Sequence, residues 1–446
     1  MNAVAQGEAG QLRIRSERWA QALAAFLALV LLAATAEIVL DGAAGHSALI
    51  PKSPQIAGWL SGVGERLGFR VFLIALLASV GAYAGLLALA RRADAAGLRP
   101  RRAIALVAGL QLIVFVGPVL LSTDVFSYIA YARMGIEHGV NPYLHGPASI
   151  VGDPVYHYVG QDWKHVATAY GPLYTLLSYP LAPLGLTGAL WGMKLEALLA
   201  SAGTVALVWR CARLRGFDPV WALLLVGANP LFTIYGLGGA HNDLLMILAM
   251  MVAITLMLAP RVTPGREAWA AAAIVAGALV KVTVAALLPF MIIARRRVGP
   301  VVGTVAAAVV GAVVAYAAFG AHGVNVFAAL NRDSALVGSD SFPTEIAHLF
   351  GKPGVFPVDH DLLKGALVVI VLYLLWRTWR GYDWIAASGW TLLAVTVTST
   401  WLLAWYILWP LPLAAIVRDR RLLVATLGVQ GLFVLHQLSP LLEPVK

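Results

Sequence analysis

A chain of 446 residues that is 60% hydrophobic and 12% charged, with mean hydropathy +0.80, falls outside the soluble globular class and reads as a polytopic helical membrane protein. Its net charge of +10 sits mostly in basic residues flanking apolar runs, as topology and anionic lipid require, so membrane lipids are expected partners and nucleic acid is not. The single cysteine, Cys211, excludes an intrachain disulfide and a cysteine-based metal cluster.

Length alone would suggest about three soluble domains. The unbroken series of apolar runs argues instead for one transmembrane domain over residues 1–446, an all-α bundle of about thirteen crossings. No cleavable signal precedes the first span; Arg13, Arg15 and Arg18 lead into a helix near 20–40 that is expected to be retained. Further spans are expected near 70–90, 103–121, 187–209, 219–236, 243–259, 268–281, 283–294, 299–319, 363–379, 384–399, 402–417 and 422–438. The short basic connections Arg91–Arg102, Arg210–Arg215, Arg261–Arg266, Arg295–Arg297, Arg377–Arg380 and Arg418–Arg421 then share the cytoplasmic side with the N-terminus. The long loops 41–69, 122–186 and 320–362 fall on the other face, and all ten histidines lie in or beside that face.

The loop 122–186 is where chemistry is expected. It gathers Asp124, Arg133, Glu137, Asp153, Asp162, Lys164 and four histidines, among them His165, for which a membrane bundle has no structural need. Asp124 ends an uncharged run and opens a helix-like stretch, 125–136, which places an anion at the positive end of a helix. Two roles stay open: a plain helix cap, or a base that remains ionised until it meets substrate. Tyr128 and Tyr131 follow on the same side, as either sugar-stacking rings or interface anchors. The segment Pro172–Leu184, with prolines at both ends, reads as an interfacial or re-entrant helix.

Further along, Gly238-Gly239-Ala240-His241-Asn242-Asp243 lies between two apolar runs with almost no loop around it. A carboxylate and an imidazole there are costly unless they line a cavity or find partners. Basic clusters at both ends of Trp269–Ile293 call for two short helices broken near Lys281, whose ammonium needs a counter-charge or a bound anion. An ion pair with Glu196 or Asp243 is the structural alternative. Arg133, Lys164, Lys281 and Arg332 are the cations able to hold a phosphate. Trp401, Trp405 and Trp409 recur every four residues, so one helix face would carry three rings beside Tyr406, enough for a polyprenyl chain, a sugar or a belt. No nucleotide-binding signature and no metal-ligand spacing is present, so no cofactor and no metal are expected.

Six segments together carry a resemblance: Asp124-Val125-Phe126-Ser127-Tyr128, Gly139-Val140-Asn141-Pro142-Tyr143, Tyr170-Gly171-Pro172-Leu173-Tyr174, Gly239 to Asp243, Leu279-Val280-Lys281-Val282-Thr283, and Trp405-Tyr406 with Trp409-Pro410-Leu411-Pro412. Over roughly residues 100–415 the chain resembles the actinobacterial polyprenol-phosphate-mannose-dependent α-1,6-mannosyltransferases of the GT-C glycosyltransferase superfamily. It departs from their pattern at Phe126 and Tyr174. The resemblance implies a GT-C-like multi-span bundle in the plasma membrane with its active site on the extracytoplasmic face. It implies a lipid-linked mannose donor and a mannan or lipoglycan acceptor, with Asp124 as catalytic base. The substrate site it implies comprises Arg133, Asn141, Tyr143, Lys164, His165, Tyr170, His241, Asn242, Asp243, Lys281, Arg332, Trp401, Trp405 and Tyr406. A secondary transporter or flippase would also use broken helices and intramembrane charge, and is the alternative. The polar residues crowd one face rather than the bilayer middle, which favours the transferase.

Overall fold

The computed structural model describes residues 2–43, 68–91 and 99–437; most of the expected loop 41–69 and part of the connection after Arg91 lie outside these residues. Every regular element among them is helical. The chain runs α1 (Asn2–Ala43), α2 (Gly68–Ala90), α3 (Pro100–Val116), α4 (Asp124–Ile136), α5 (Pro172–Ser178), α6 (Gly185–Leu214), α7 (Pro219–Gly227), α8 (Asp243–Met257) and α9 (Pro264–Ala278). It continues through α10 (Leu287–Arg295), α11 (Val298–Phe319), α12 (Asn325–Asp333), α13 (Phe342–Leu349), α14 (Pro357–Trp379), α15 (Trp384–Thr398), α16 (Leu411–Ala414) and α17 (Arg420–Gln437). Many of these starts are written in the sequence. Asp218 caps α7, Thr263 caps α9, Ser341 caps α13 and Asp383 caps α15, each accepting a backbone N–H that the first turn leaves free.

Among the described residues, four helical runs are long and apolar enough to cross a membrane: Glu17–Ala43, Arg70–Ala90, Pro172–Leu214 and Val298–Arg332. A fifth crossing arises if α7 and the π-helical turn Leu231–Leu237, bent by 47°, count as one. Their outer faces suit lipid: Val301, Val305, Val309 and Val313 of α11 and Phe26 and Leu29 of α1 are exposed. The protein is therefore a helical membrane protein. Several of the other expected crossings are shorter. Asp243–Met257, Val282–Arg295, Trp384–Thr398 and Ala404–Ala414 are apolar helices of 10–17 residues. At 1.5 Å rise per residue such a helix reaches about 15–25 Å, less than the roughly 30 Å hydrocarbon core. The Pro172–Leu184 segment is helical, as expected, and runs into α6 through a turn at Gly185, where φ is +69°.

Three breaks among the described residues interrupt these helices, and at each of them freed backbone groups find hydrogen-bond partners within the protein, as apolar surroundings demand. The expected break near Lys281 is present: α9 stops at Ala278, and Lys281 is extended at φ −147°, ψ 119°. The loose carbonyls of Leu279 and Val280 accept hydrogen bonds from Leu173 N (3.0 Å) and Gly171 N (3.1 Å). Residue 171 must be glycine for this, because a Cβ would collide with the Leu279 carbonyl. The second break spans Gly238–Asn242, where Leu120 N bonds to Gly238 O at 2.8 Å. The third follows α15: residues 399–403 are irregular, bending at Thr400 and Trp401, before a 3-10 turn, Ala404–Leu408. There Gly338 N bonds Thr400 O at 2.7 Å and Thr400 Oγ1 bonds Leu336 O at 2.8 Å, tying the loop after α12 to the break.

The third break corrects the expected tryptophan ladder. With about three residues per turn, positions four apart point about 120° away from each other, so Trp401, Trp405 and Trp409 do not share a face. Pro410 and Pro412, which lack the N–H a continuous helix would need there, make α16 start anew after the 3-10 turn.

Candidate active site

Two of these breaks, the one near Lys281 and the one after α15, meet the N-terminus of α4 at one polar cavity of about 330 Å³, and the Gly238–Asn242 break lies behind it, with His241 Nδ1 3.7 Å from Asp124 Oδ2. Asp124 is the first residue of α4 rather than its cap; Thr123 holds the cap position, and Ser122 Oγ accepts the Asp124 N–H at 3.1 Å. The Asp124 carboxylate lines the cavity and is 17% exposed. Burial pushes its pKa up to about 7, the Lys281 ammonium pulls it down and the Asp243 carboxylate pushes it up. A carboxylate with pKa near 7 is a far stronger proton acceptor than an ordinary aspartate.

Opposite Asp124 stands a closely paired group. Asp243, 1% exposed at the start of α8, takes the Lys281 ammonium on Oδ2 at 2.8 Å and the Trp409 indole N–H on Oδ1 at 2.6 Å. The Lys281 ammonium also lies 4.3 Å from the Tyr406 ring centre, and Tyr406 stacks on Trp409 at 4.4 Å. Of the two partners considered for Lys281, Asp243 and not Glu196 is the one used. The next residues back, Asn242 and His241, are buried under the cavity floor. Asn242 Oδ1 lies 3.5 Å from the Tyr128 hydroxyl. His241 stacks on Trp405 with ring centres 3.4 Å apart, and its Nδ1 is 3.7 Å from Asp124 Oδ2. Burial, and then Lys281, hold this imidazole well below the usual histidine range, so it is neutral.

Tyr170, Trp401 and Tyr406 line the cavity with Asp124 and Lys281, while Trp405 lies beneath it against His241. Tyr143 sits behind, its hydroxyl donating to the Tyr170 carbonyl at 2.9 Å. Other sequence-named residues are absent from the lining. The Arg133 guanidinium is committed to Asp153 (2.9 Å) and the Ala182 carbonyl (3.0 Å), and His138 reaches the same carboxylate at 2.8 Å. Burial pushes Asp153 up, but His138, the Val155 amide and Arg133 together hold it below the usual carboxylate range. Asn141 donates to the Phe319 carbonyl at 2.9 Å, and Lys164 covers the Tyr156 ring at 4.5 Å. His165 and Arg332 are exposed elsewhere on that face.

The cavity also contains Tyr131, which the sequence placed on the side of Asp124, and residues given no place in the site beforehand: Trp163, His360, Lys364, Thr398 and Ser399. Lys364 matters most, since it brings a second cation and forms no ion pair among the described residues. The available signal was a lysine one position inside an expected span, which reads as a flanking charge. Against this cavity lies a second one of about 730 Å³, apolar, lined by Ala308, Gly311, Ala312 and Ala315 of α11 and sharing Ala169, Val282 and Leu330 with the first.

Along residues 30–297 the chain matches the family described as alpha-(1->6)-mannopyranosyltransferase, N-terminal domain, and along 362–440 the MptB C-terminal domain. Alpha-(1->6)-mannopyranosyltransferase A of Mycobacterium tuberculosis is 30% identical over 352 residues, covering 71% of this chain and 66% of the relative. The protein of the same name from Corynebacterium glutamicum is 32% identical over 205 residues, 45% of this chain and 40% of the relative. The matched stretches thus cover two thirds or less of these curated relatives. No solved structure matches the chain.

Proposed function

The chain belongs to the alpha-(1->6)-mannopyranosyltransferase family, and from that premise we propose that it moves mannose from a polyprenyl phosphate donor to a glycolipid or lipoglycan acceptor, forming an α-(1→6) linkage. The observation that carries this reading is Asp124, a mostly buried carboxylate with raised pKa, on a polar cavity that adjoins a larger apolar one. A lipid-linked sugar has the same division. Its sugar phosphate fits the polar part beside Lys281 and Lys364, and its prenyl chain fits the alanine- and glycine-lined groove along α11.

In this reading a β-linked mannosyl phosphate brings its own leaving group. Asp124 takes the proton from the acceptor 6-hydroxyl as that oxygen forms its bond to C1. The C1–O bond to phosphate breaks on the opposite side, which inverts the centre to α through an oxocarbenium-like transition state. Lys281, oriented by Asp243, and Lys364 receive the charge that develops on the departing lipid phosphate. Arg133, committed to Asp153, organises the loop instead. Reconstitution with defined polyprenyl phosphate sugars tests the proposal. Mannose should pass from the prenyl donor to acceptor and not from a nucleotide sugar. Vectorial movement of an unmodified substrate without transfer would favour a transporter.

The same reading places loops 122–186 and 320–362 outside the cytoplasm at the plasma membrane, as the basic connections imply. Ser149 and Ser339 are exposed on these loops. Single cysteines there, in a background lacking Cys211, should react with an impermeant thiol reagent in intact cells. Protection of both until lysis would reverse the orientation.

A further inference from the structure

Beneath Asp124 the chain is built around the His241 ring. Ala240 adopts φ +51°, a left-handed conformation that a residue with a Cβ rarely takes, and such strain persists only where the surroundings enforce it. Position 239 has no side chain, and a Cβ there would run into His241 Nε2 and Cδ2. Trp405 closes the other side by stacking on the ring at 3.4 Å. Yet the imidazole, 1% exposed, has no hydrogen-bond partner on either nitrogen among the described residues. A buried polar ring fixed at this cost without being satisfied calls for a partner, and Asp124 Oδ2 stands 3.7 Å from its Nδ1.

We propose that His241 is a positioning residue for the base, its Nδ1–H closing on Asp124 Oδ2 when substrate enters and fixing the other carboxylate oxygen toward the acceptor hydroxyl. The inference rests on Asp124 being the base. The present separation is slightly beyond hydrogen-bond length, and catalytic hydrogen bonds often tighten only in the substrate complex. The charged groups facing the ring are Asp124 from α4, Lys281 from the break after α9 and Asp243 from α8. Lys281 opposes imidazolium formation, and Asp243 is occupied by Lys281 and Trp409, so a neutral ring donating to Asp124 is the arrangement these charges allow.

Four variants of the full-length protein in proteoliposomes, assayed with mannosyl prenyl phosphate, test this. His241→Leu removes the donor and should lower kcat by about ten- to a hundredfold, the usual cost of a misplaced reacting group, while donor KM holds. It should also move the acidic limb of the kcat profile to higher pH, since a carboxylate that loses a hydrogen bond is easier to protonate. Gly239→Ala, by displacing the ring, should reproduce both changes. His241→Asn places an amide N–H near the Nδ1 position and should recover most of the lost turnover and the original limb. His241→Leu added to Asp124→Asn should cost nothing more. An unmoved limb in His241→Leu, asparagine no better than leucine, or additive losses with Asp124→Asn would each overturn the role of His241 alone. Near wild-type turnover in Asp124→Asn would instead remove the base on which the proposal rests.

Discussion

Asp124→Asn should lower turnover by about 10²–10⁴-fold, the usual worth of general base catalysis, in a protein that still folds and still binds donor. The amide keeps the size of the carboxylate and can still accept the Asp124-side contacts, but it cannot take a proton. Asp124→Glu tests geometry rather than chemistry: one methylene moves the carboxylate by about an ångström, enough to lose about 10² in rate. The pH profile supplies an independent check with a definite sign. The active form is the carboxylate, whose pKa burial raises to about 7, so activity should fall as pH drops through about 7 rather than near 4. An Asp124→Asn protein that transfers mannose at near wild-type rate would sink the assignment. Loss of donor binding in the same variant would make Asp124 a binding residue.

The parts of this site that could be read in the sequence were charges that apolar surroundings make conspicuous. Asp124 at the end of an uncharged run, Asp243 in a gap with no loop and Lys281 inside a stretch too short for its flanking charges each stood out because burial there is costly. Asp124 and Lys281 line one cavity, and Asp243 lies buried behind it against Lys281. Pairing was harder to read, because a cation shows its position along the chain and not its partner. Arg133 looked as available as Lys281 until Asp153, twenty residues on, was found against it. Lys364 escaped for the opposite reason, since a lysine at the edge of an apolar run resembles an ordinary flank. Periodicity misled where helix type changed. The tryptophans repeat every four residues, but the segment that carries them bends at Thr400 and Trp401 and then turns 3-10, so Trp405 goes under the cavity while Trp401 and Trp409 line it. The strained turn at Ala240 has no signature in residue type at all; only its neighbour Gly239 hinted that the backbone there is special.

Removing one partner of the Lys281–Asp243 pair should be worse for the fold than removing both. Asp243 is 1% exposed and both its oxygens are engaged, so Asp243→Ala removes at once the carboxylate that holds both the Lys281 ammonium and the Trp409 indole N–H. Breaking a buried pair from one side costs about 3–5 kcal/mol, whereas replacing it with apolar groups is often close to neutral. The double variant Asp243→Ala with Lys281→Met should therefore unfold at a higher temperature in detergent than Asp243→Ala alone. Function separates the two residues further. Lys281→Met should weaken donor binding more than acceptor binding, because the ammonium is held on the cavity wall by Asp243 and by the Tyr406 ring, with 15% of the side chain exposed. Lys281→Arg keeps the charge and should lose less, although the guanidinium fork does not reproduce a point charge over the ring. Additive losses in the double variant would show that the pair is not coupled. Unchanged donor affinity in Lys281→Met would leave Lys281 as the structural counter-ion of Asp243, and the lipid phosphate would then depend on Lys364.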